Sequence, residues 1–264
     1  MKLAAIGSNC IDFYSNLEGG KPFPGGGPVN MAVYTLRIGG KASYIGAVGD
    51  DDYGKIMQEA MSGKGVDISH LYVKRGKTAV SRVELQNGER VFGEYREGVL
   101  AEFQLSEEDK AFILTHDVVV ADLWGRVEGE FAQLQKSGIR TAFDCANHPD
   151  AEAAKRAVPY ADYLFFSAED EDRAEIREKM KAIREDGAKM VICMLGKNGS
   201  LCFDGKEFYR YGIKECRKTV DTMGAGDSYI AGFLKGITEG MTVEKAMELG
   251  AATAADTLSY FGAW

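Results

Sequence analysis

The sequence predicts a three-layer α/β fold: a mostly parallel sheet with helices on both faces, plus a small inserted β-sheet. Three observations point to it. From residue 117 onward, short apolar runs alternate with amphipathic stretches, as in a parallel sheet joined by crossover helices. The same alternation opens the chain, over residues 2–65. Between the two lies a segment of different texture, residues 78–95, alternating and rich in β-branched and aromatic residues around Asn87-Gly88. That dipeptide between alternating runs is a hairpin signal.

Element by element, "KLAAIG" (2–7) is a buried strand ending in glycine, and "VNMAVYTLRIG" (29–39) a helix that stops at Gly39-Gly40. "ASYIGAVG" (42–49) is a strand and "DYGKIMQEAMSGKG" (52–65) a helix. After the inserted hairpin come four buried-strand runs, 117–121, 139–144, 162–166 and 189–195, with helices between them such as 128–138 and 172–187. "GSLCFDGKEFYRY" (199–211) reads as a second hairpin around Asp204-Gly205, and two helices, about 226–239 and 243–260, finish the chain.

With 264 residues and 45% hydrophobic content the chain is long enough for one large domain. The net charge of −8 argues against nucleic-acid and anionic-membrane binding. It does not argue against a small anionic ligand, which backbone N–H groups can hold. The five cysteines are scattered without CxxC spacing, which points to a reducing, cytoplasmic setting and away from a zinc or disulfide framework. The start, "MKLAAIGSNCIDF", is too interrupted for a signal peptide, and no run approaches the length of a membrane span.

Three stretches would fall at the carboxyl ends of the strands, where open α/β sheets bind ligands. "GSNCID" places Asp12 just after the first strand; alone, it reads first as an ordinary turn residue. "PFPGGGPVNMA" (22–32) offers three consecutive glycines, including Gly26 and Gly27, and then Asn30 in the first turn of a helix. The glycines allow close backbone approach to a ligand, and Asn30 can hydrogen-bond a hydroxyl. The stretch fits neither the phosphate-binding Walker loop nor the dinucleotide fingerprint. "DTMGAGDSYIAGF" (221–233) puts Gly224, Ala225 and Gly226 at a helix N-terminus, directly before Asp227. Bare N–H groups at the positive end of a helix suit a phosphoryl group gathering charge. Asp227 beside them could accept the proton of an attacking hydroxyl. A plainer reading is a glycine-rich turn with a helix cap.

In these stretches the chain resembles the PfkB or ribokinase-like sugar kinases. The resemblance runs over all 264 residues and is most specific in "DTMGAGD" (221–227), with "GGGPVN" and "LGKNG" (195–199) in support. It implies a ribokinase-like kinase domain over residues 1–264, with lid strands from about 10–22 and 78–98. It further implies Asp227 as catalytic base, Gly224–Gly226 as anion hole, and Asp12, Gly26, Gly27 and Asn30 as sugar ligands. Glu171, Gly196, Lys197 and Gly199, with Thr222, Gly224 and Gly226, would line the nucleotide site. ATP is the implied phosphate donor and Mg²⁺ its companion, with Glu171 approaching the metal through water. Asp221 matches the family's monovalent-cation position, which implies K⁺. The chain departs from the family pattern at Ala168, where an Asn is usual, and at Met194, where a Thr is usual.

Further stretches, among them "VGDDDYG", "LSEED" and the final "GAW", resemble the branch of the family that phosphorylates fructosamines (Amadori compounds) at the 6-hydroxyl. Such a substrate brings an amine and a carboxylate, for which Glu84, Arg90, Glu94 and Arg96 are candidate partners, Arg90 first; these four residues read equally as solvent-facing lid charges. The same motifs would also suit a kinase for another sugar or adduct, such as fructose or fructose-aspartate, or a non-catalytic sugar- or nucleotide-binding regulator. An inserted two-sided sheet needs its apolar face covered, which suggests a homodimer through the lid.

Overall fold

The computed structural model describes residues 1–17, 19–86, 89–168, 171–216 and 218–264. Its centre is a nine-stranded sheet in the order β13-β12-β11-β10-β9-β8-β1-β4-β5. Seven strands are parallel: β1 (Lys2–Ile6), β4 (Lys41–Gly49), β5 (Asp67–Lys74), β8 (Val118–Asp122), β9 (Arg140–Asp144), β10 (Tyr163–Ser167) and β11 (Met190–Met194). The hairpin of β12 (Ser200–Phe203) and β13 (Phe208–Tyr211) adds two antiparallel strands at one edge.

Strand periodicity divides the core between the two faces. Leu3, Ala5, Val118 and Val120 point to one side, under the helices α1 (Gly27–Arg37), α2 (Asp52–Gly63), α7 (Ala225–Thr238) and α8 (Val243–Thr257). Ala4, Ile6, Val119 and Ala121 point to the other, under α4 (Phe131–Lys136), α5 (Glu152–Ala157) and α6 (Ala174–Glu185), with α3 (Glu107–Ile113) alongside. This two-sided burial is why the parallel strands read as continuous apolar runs.

Four strands form the second sheet, in the order β3-β2-β6-β7: β2 (Cys10–Tyr14), β3 (Lys21–Gly25), β6 (Val80–Gln86) and β7 (Glu89–Arg96). Strand β2 begins four residues after β1 ends, so this sheet rises from the carboxyl end of the main one. The pairing Gln86↔Glu89 closes β6 on β7; the Asn87-Gly88 turn itself lies outside the described residues.

The structure departs from the sequence expectations in details. Strand β5 was not foreseen: its faces are half exposed and Ser69 and His70 interrupt its apolar pattern, because it is a sheet edge. Helix α1 starts at Gly27 rather than Val29, with Pro28 in its first turn, a position that tolerates proline's missing N–H. The stretch 128–138 begins as a 3₁₀ turn, leaving only Phe131–Lys136 as α-helix.

Candidate active site

The main sheet reverses its winding between β1 and β8, the adjacent strands at its middle. A crevice at such a switch point, beyond the carboxyl ends, is where α/β sheets place ligands. Here β1 leads into β2 and Asp12, β8 ends in Asp122, and β9 ends in Asp144, which is paired with Asp122 in register. Helices α1 and α7 pack together above them, bringing the Gly25–Asn30 segment against Asp227.

The three consecutive glycines have a steric reason. A Cβ on Gly25 would lie 2.4 Å from Asp12 Oδ2, and one on Gly27 would lie 3.1 Å from Asp122 Oδ2 and 3.4 Å from Asp227 Oδ1. The bare backbone therefore runs between three carboxylates. Asn30 donates from Nδ2 to Asp227 Oδ2 at 2.7 Å, and its Oδ1 accepts from Trp264 Nε1 at 2.7 Å. Asp122 is fixed by Ser8 Oγ at 2.5 Å and by the backbone N–H of Trp124 at 3.1 Å.

Burial dominates the electrostatics. It pushes the carboxyls of Asp227 and Asp12 up to about 6, that of Asp122 to about 7 and that of Asp144 to about 8. The hydrogen bond from Asn30 pulls Asp227 down, and the Cys10 thiol and Arg90 pull Asp12 down. Asp227 raises its three neighbours further by like-charge repulsion. The positive end of α7 favours the ionised carboxylate and desolvation opposes it, leaving a group that is mostly charged at neutral pH and a stronger base than a solvated one.

Gly224 caps α7 in the left-handed region (φ 74°) and provides no side-chain cap. The Ala225 N–H turns to Thr222 O at 3.3 Å, and Ser228 N donates to Gly224 O at 2.8 Å. Among the described residues the N–H groups of Gly226 and Asp227 have no such partner. Of the expected anion hole, Gly226 is thus open, whereas Ala225 is partly engaged. Met194 answers for itself: its Sδ and Cε lie 3.9 and 3.8 Å from a Cβ position on Gly226, so the thioether packs against the glycine loop where a Thr was expected.

The loop Gly196–Asn198 follows β11 beside this loop, and Gly199 has φ 87° with no room for a Cβ, which would lie 2.1 Å from Tyr211 O. Lys197 and Thr222 are exposed. Ala168 donates its N–H to Met194 O at 2.9 Å, which sets the end of β10 beside the same loop. Glu171, three residues on, is exposed. Among the described residues no three acidic, His or Cys side chains group to hold a metal. An exposed carboxylate at the rim fits a Mg²⁺ carried mainly by phosphate oxygens and water.

Two expectations need correction. Arg90, first candidate for a substrate carboxylate, is ion-paired with Asp221, and both side chains are buried. Asp221, expected to hold a monovalent cation, is surrounded by donors: Arg90 Nη2 and Gly262 N (2.8 Å) on Oδ2, and Met223 N (3.1 Å) on Oδ1. Those donors do not fit a cation, which needs oxygen lone pairs around it. Glu94 and Arg96 pair with each other at 2.8 and 2.9 Å on the exposed surface of the small sheet, as solvent-facing lid charges would.

Sequence reasoning missed Asp122, Asp144, Ser8 and Trp264. The two aspartates had a signal: each ends an apolar strand at the carboxyl edge of the sheet. Trp264 had none, since its partner Asn30 is 234 residues away.

A buried carboxylate held beside the open N-terminus of a helix, over a recess lined by backbone and acids, has the chemistry a phosphotransferase needs to act on a small hydroxylated molecule. The chain belongs to the pfkB family of carbohydrate kinases, whose family model matches residues 1–264. It is 49% identical over 262 residues to a fructoselysine 6-kinase of Shigella flexneri and 48% identical to one of Escherichia coli K12, covering 99% of this chain and of each relative. It is 32% identical to the fructosamine kinase FrlD of Bacillus subtilis, over 100% of this chain and 93% of that one. The fold is ribokinase-like: an Arabidopsis thaliana ribokinase, solved with ribose and ATP, superposes with a TM-score of 0.89 at 22% identity, covering 99% of this chain and 93% of that one.

Proposed function

We propose that the protein phosphorylates the 6-hydroxyl of a fructosamine, fructoselysine above all, with ATP as donor. The observation that carries the reading is the Asp227 carboxylate, held by Asn30 at the uncapped start of α7. The near-full-length likeness to fructoselysine 6-kinases supports the choice of sugar.

The sugar lies over Gly25–Gly27, with Asp12, Asn30 and Asp122 taking its hydroxyls. Three carboxylates in one recess also favour a substrate that brings a positive amine. Asp227 takes the proton of the attacking hydroxyl as that oxygen bonds to phosphorus. The N–H groups at Gly224–Gly226 and the helix dipole stabilise charge on the transferring phosphoryl group. The nucleotide extends along Gly196, Lys197, Gly199 and Thr222. Glu171 is the residue that would hold Mg²⁺, through water, and the metal would supply neutralisation of phosphate oxygens.

The small sheet acts as a lid that excludes water from the reacting hydroxyl, within one kinase unit spanning residues 1–264. Phe92 on its edge strand β7 is largely exposed, which supports a second copy covering the lid. The setting is cytoplasmic; among the described residues no helix is long and apolar enough to cross a membrane. The test is ADP release with fructoselysine, fructose and fructose-asparagine, with NMR of the product. Phosphorylation at C6 of fructoselysine, at a kcat/KM well above that for the other two, supports the reading. Equal or better use of fructose overturns the choice of sugar.

A further inference from the structure

Arg90 joins the two parts of the molecule that a phosphoryl transfer must bring together. It comes from β7 of the small sheet, and its partner Asp221 begins the turn that leads through Gly224 into α7. The side chains are only 7% and 5% exposed. The guanidinium carbon lies 5.3 Å from the ring centre of Tyr14 and 5.8 Å from that of Phe261. These rings pack on Phe23, at 5.3 and 5.6 Å between centres. Arg90 is therefore held by two aromatic faces and one carboxylate, while its Nε and Nη1 are buried with no hydrogen-bond partner among the described residues.

A buried carboxylate at this place is an electrostatic liability. It stands a few residues before the N-terminus that must attract phosphate, and uncompensated it would oppose the helix field. Something positive must neutralise it. The hydrogen-bond partners of Asp221 among the described residues are all N–H donors, which repel a metal ion, and Arg90 already supplies the charge. The same carboxylate accepts the Met223 N–H at 3.1 Å, so the pair also fixes the turn that presents Gly224 and Gly226.

We propose that Arg90 is a built-in cation: it neutralises Asp221, holds the Thr222–Gly226 turn in its anion-receiving shape, and makes the kinase independent of monovalent cations. Because the charge is delivered by the small sheet, the turn is set only when that sheet is seated. Arg90 is a positioning residue, acting through Asp221. The inference rests on the proposed kinase activity, for which wild-type ADP release serves as the control.

The experiment compares wild type, Arg90→Met and Arg90→Lys in KCl, NaCl and tetramethylammonium chloride at constant ionic strength. Turnover and thermal unfolding are read on the same preparations. Wild type should show the same kcat and the same Tm in all three salts. Arg90→Met should lose at least about tenfold in kcat in tetramethylammonium, and K⁺ should restore part of both kcat and Tm. That rescue is one a merely structural residue would not show. Arg90→Lys, which keeps a charge, should fold and stay insensitive to K⁺; it carries the test if Arg90→Met does not fold. A K⁺-dependent Tm or turnover in wild type overturns the proposal, as does full activity of Arg90→Met without K⁺. If wild type turns over no sugar in any salt, the kinase reading fails, and the Tm comparison still decides the role of Arg90.

Discussion

Asn30 and Asp227 face each other across 2.7 Å, amide nitrogen to carboxylate oxygen, from the first turns of two packed helices. Trp264 decides which way the Asn30 amide points. An indole N–H can only donate, so it must meet Oδ1, and this leaves Nδ2 for the carboxylate. The three residues form one line, in which the Trp264 indole orients the amide that holds the Asp227 carboxylate.

Replacing Trp264 by Phe keeps the ring packing and removes the donor. One hydrogen bond is worth about 0.5–1.5 kcal/mol, so kcat/KM should fall roughly 2–10-fold at about 1.4 kcal/mol per tenfold. A freed amide no longer favours the ionised base, so the acid limb of the pH profile should also move upward. An unshifted limb with unchanged kcat/KM would show that the Trp264 contact is packing alone.

Asp227→Asn separates a base from a cap. Asn caps a helix about as well as Asp and can still accept from Asn30, so folding and ligand binding should survive. General-base catalysis is typically worth ~10²–10⁴-fold, and we expect at least about a hundredfold loss of kcat with little change in either ligand's Kd. In the wild-type enzyme, kcat/KM should decline as pH falls through about 6, where burial has placed the Asp227 carboxyl. Turnover and calorimetric binding on one preparation check both points; near-normal turnover removes Asp227 from the mechanism.

Asp144 offers a test with the opposite sign. Its folded pKa, about 8, lies above the ordinary 3.8 because of burial and the neighbouring Asp227. Its contribution to stability is therefore fully present below about pH 4 and is lost as pH rises towards 8. Asp144→Asn abolishes that loss and can keep the bond from the Ala146 N–H. The amount by which its Tm exceeds that of wild type should widen between pH 5 and pH 8 by at least about 2–4 °C, the shift expected for about 1 kcal/mol in a chain of this size. A pH-independent difference in Tm between the two proteins would contradict the assignment.

Glu171 is exposed at the rim beyond β10, where Ala168 brings no amide. Glu171→Gln should lower kcat or raise the Mg²⁺ concentration needed for half-maximal rate, with Tm nearly unchanged. A Mg²⁺ titration of the variant beside wild type reads this directly. Identical curves would take Glu171 out of the site.

Much of this protein is local and so could be read along the chain. The alternation of buried strands and helices follows from burying a parallel sheet on both faces, and the glycine-rich turn into Asp227 follows from what a helix start can offer a phosphate. Asp12, Asn30 and Asp227 stood out because each follows a structural break that their types do not need for packing. The edge strand β5 was hidden because one open side blurs its pattern, and the start of α1 because proline marks a helix start only within a residue or two.

What the sequence by itself determined was the class of fold and the carboxylate placed at the start of α7, since each rests on residues close together in the chain. The tertiary structure alone decided the partners. Trp264 meets Asn30 across 234 positions and Arg90 meets Asp221 across 131, and no local pattern encodes such a pairing. It decided the charges as well: Asp122 and Asp144 read as strand ends until the sheet, α1 and α7 close over them and remove the water that would have kept them ordinary acids.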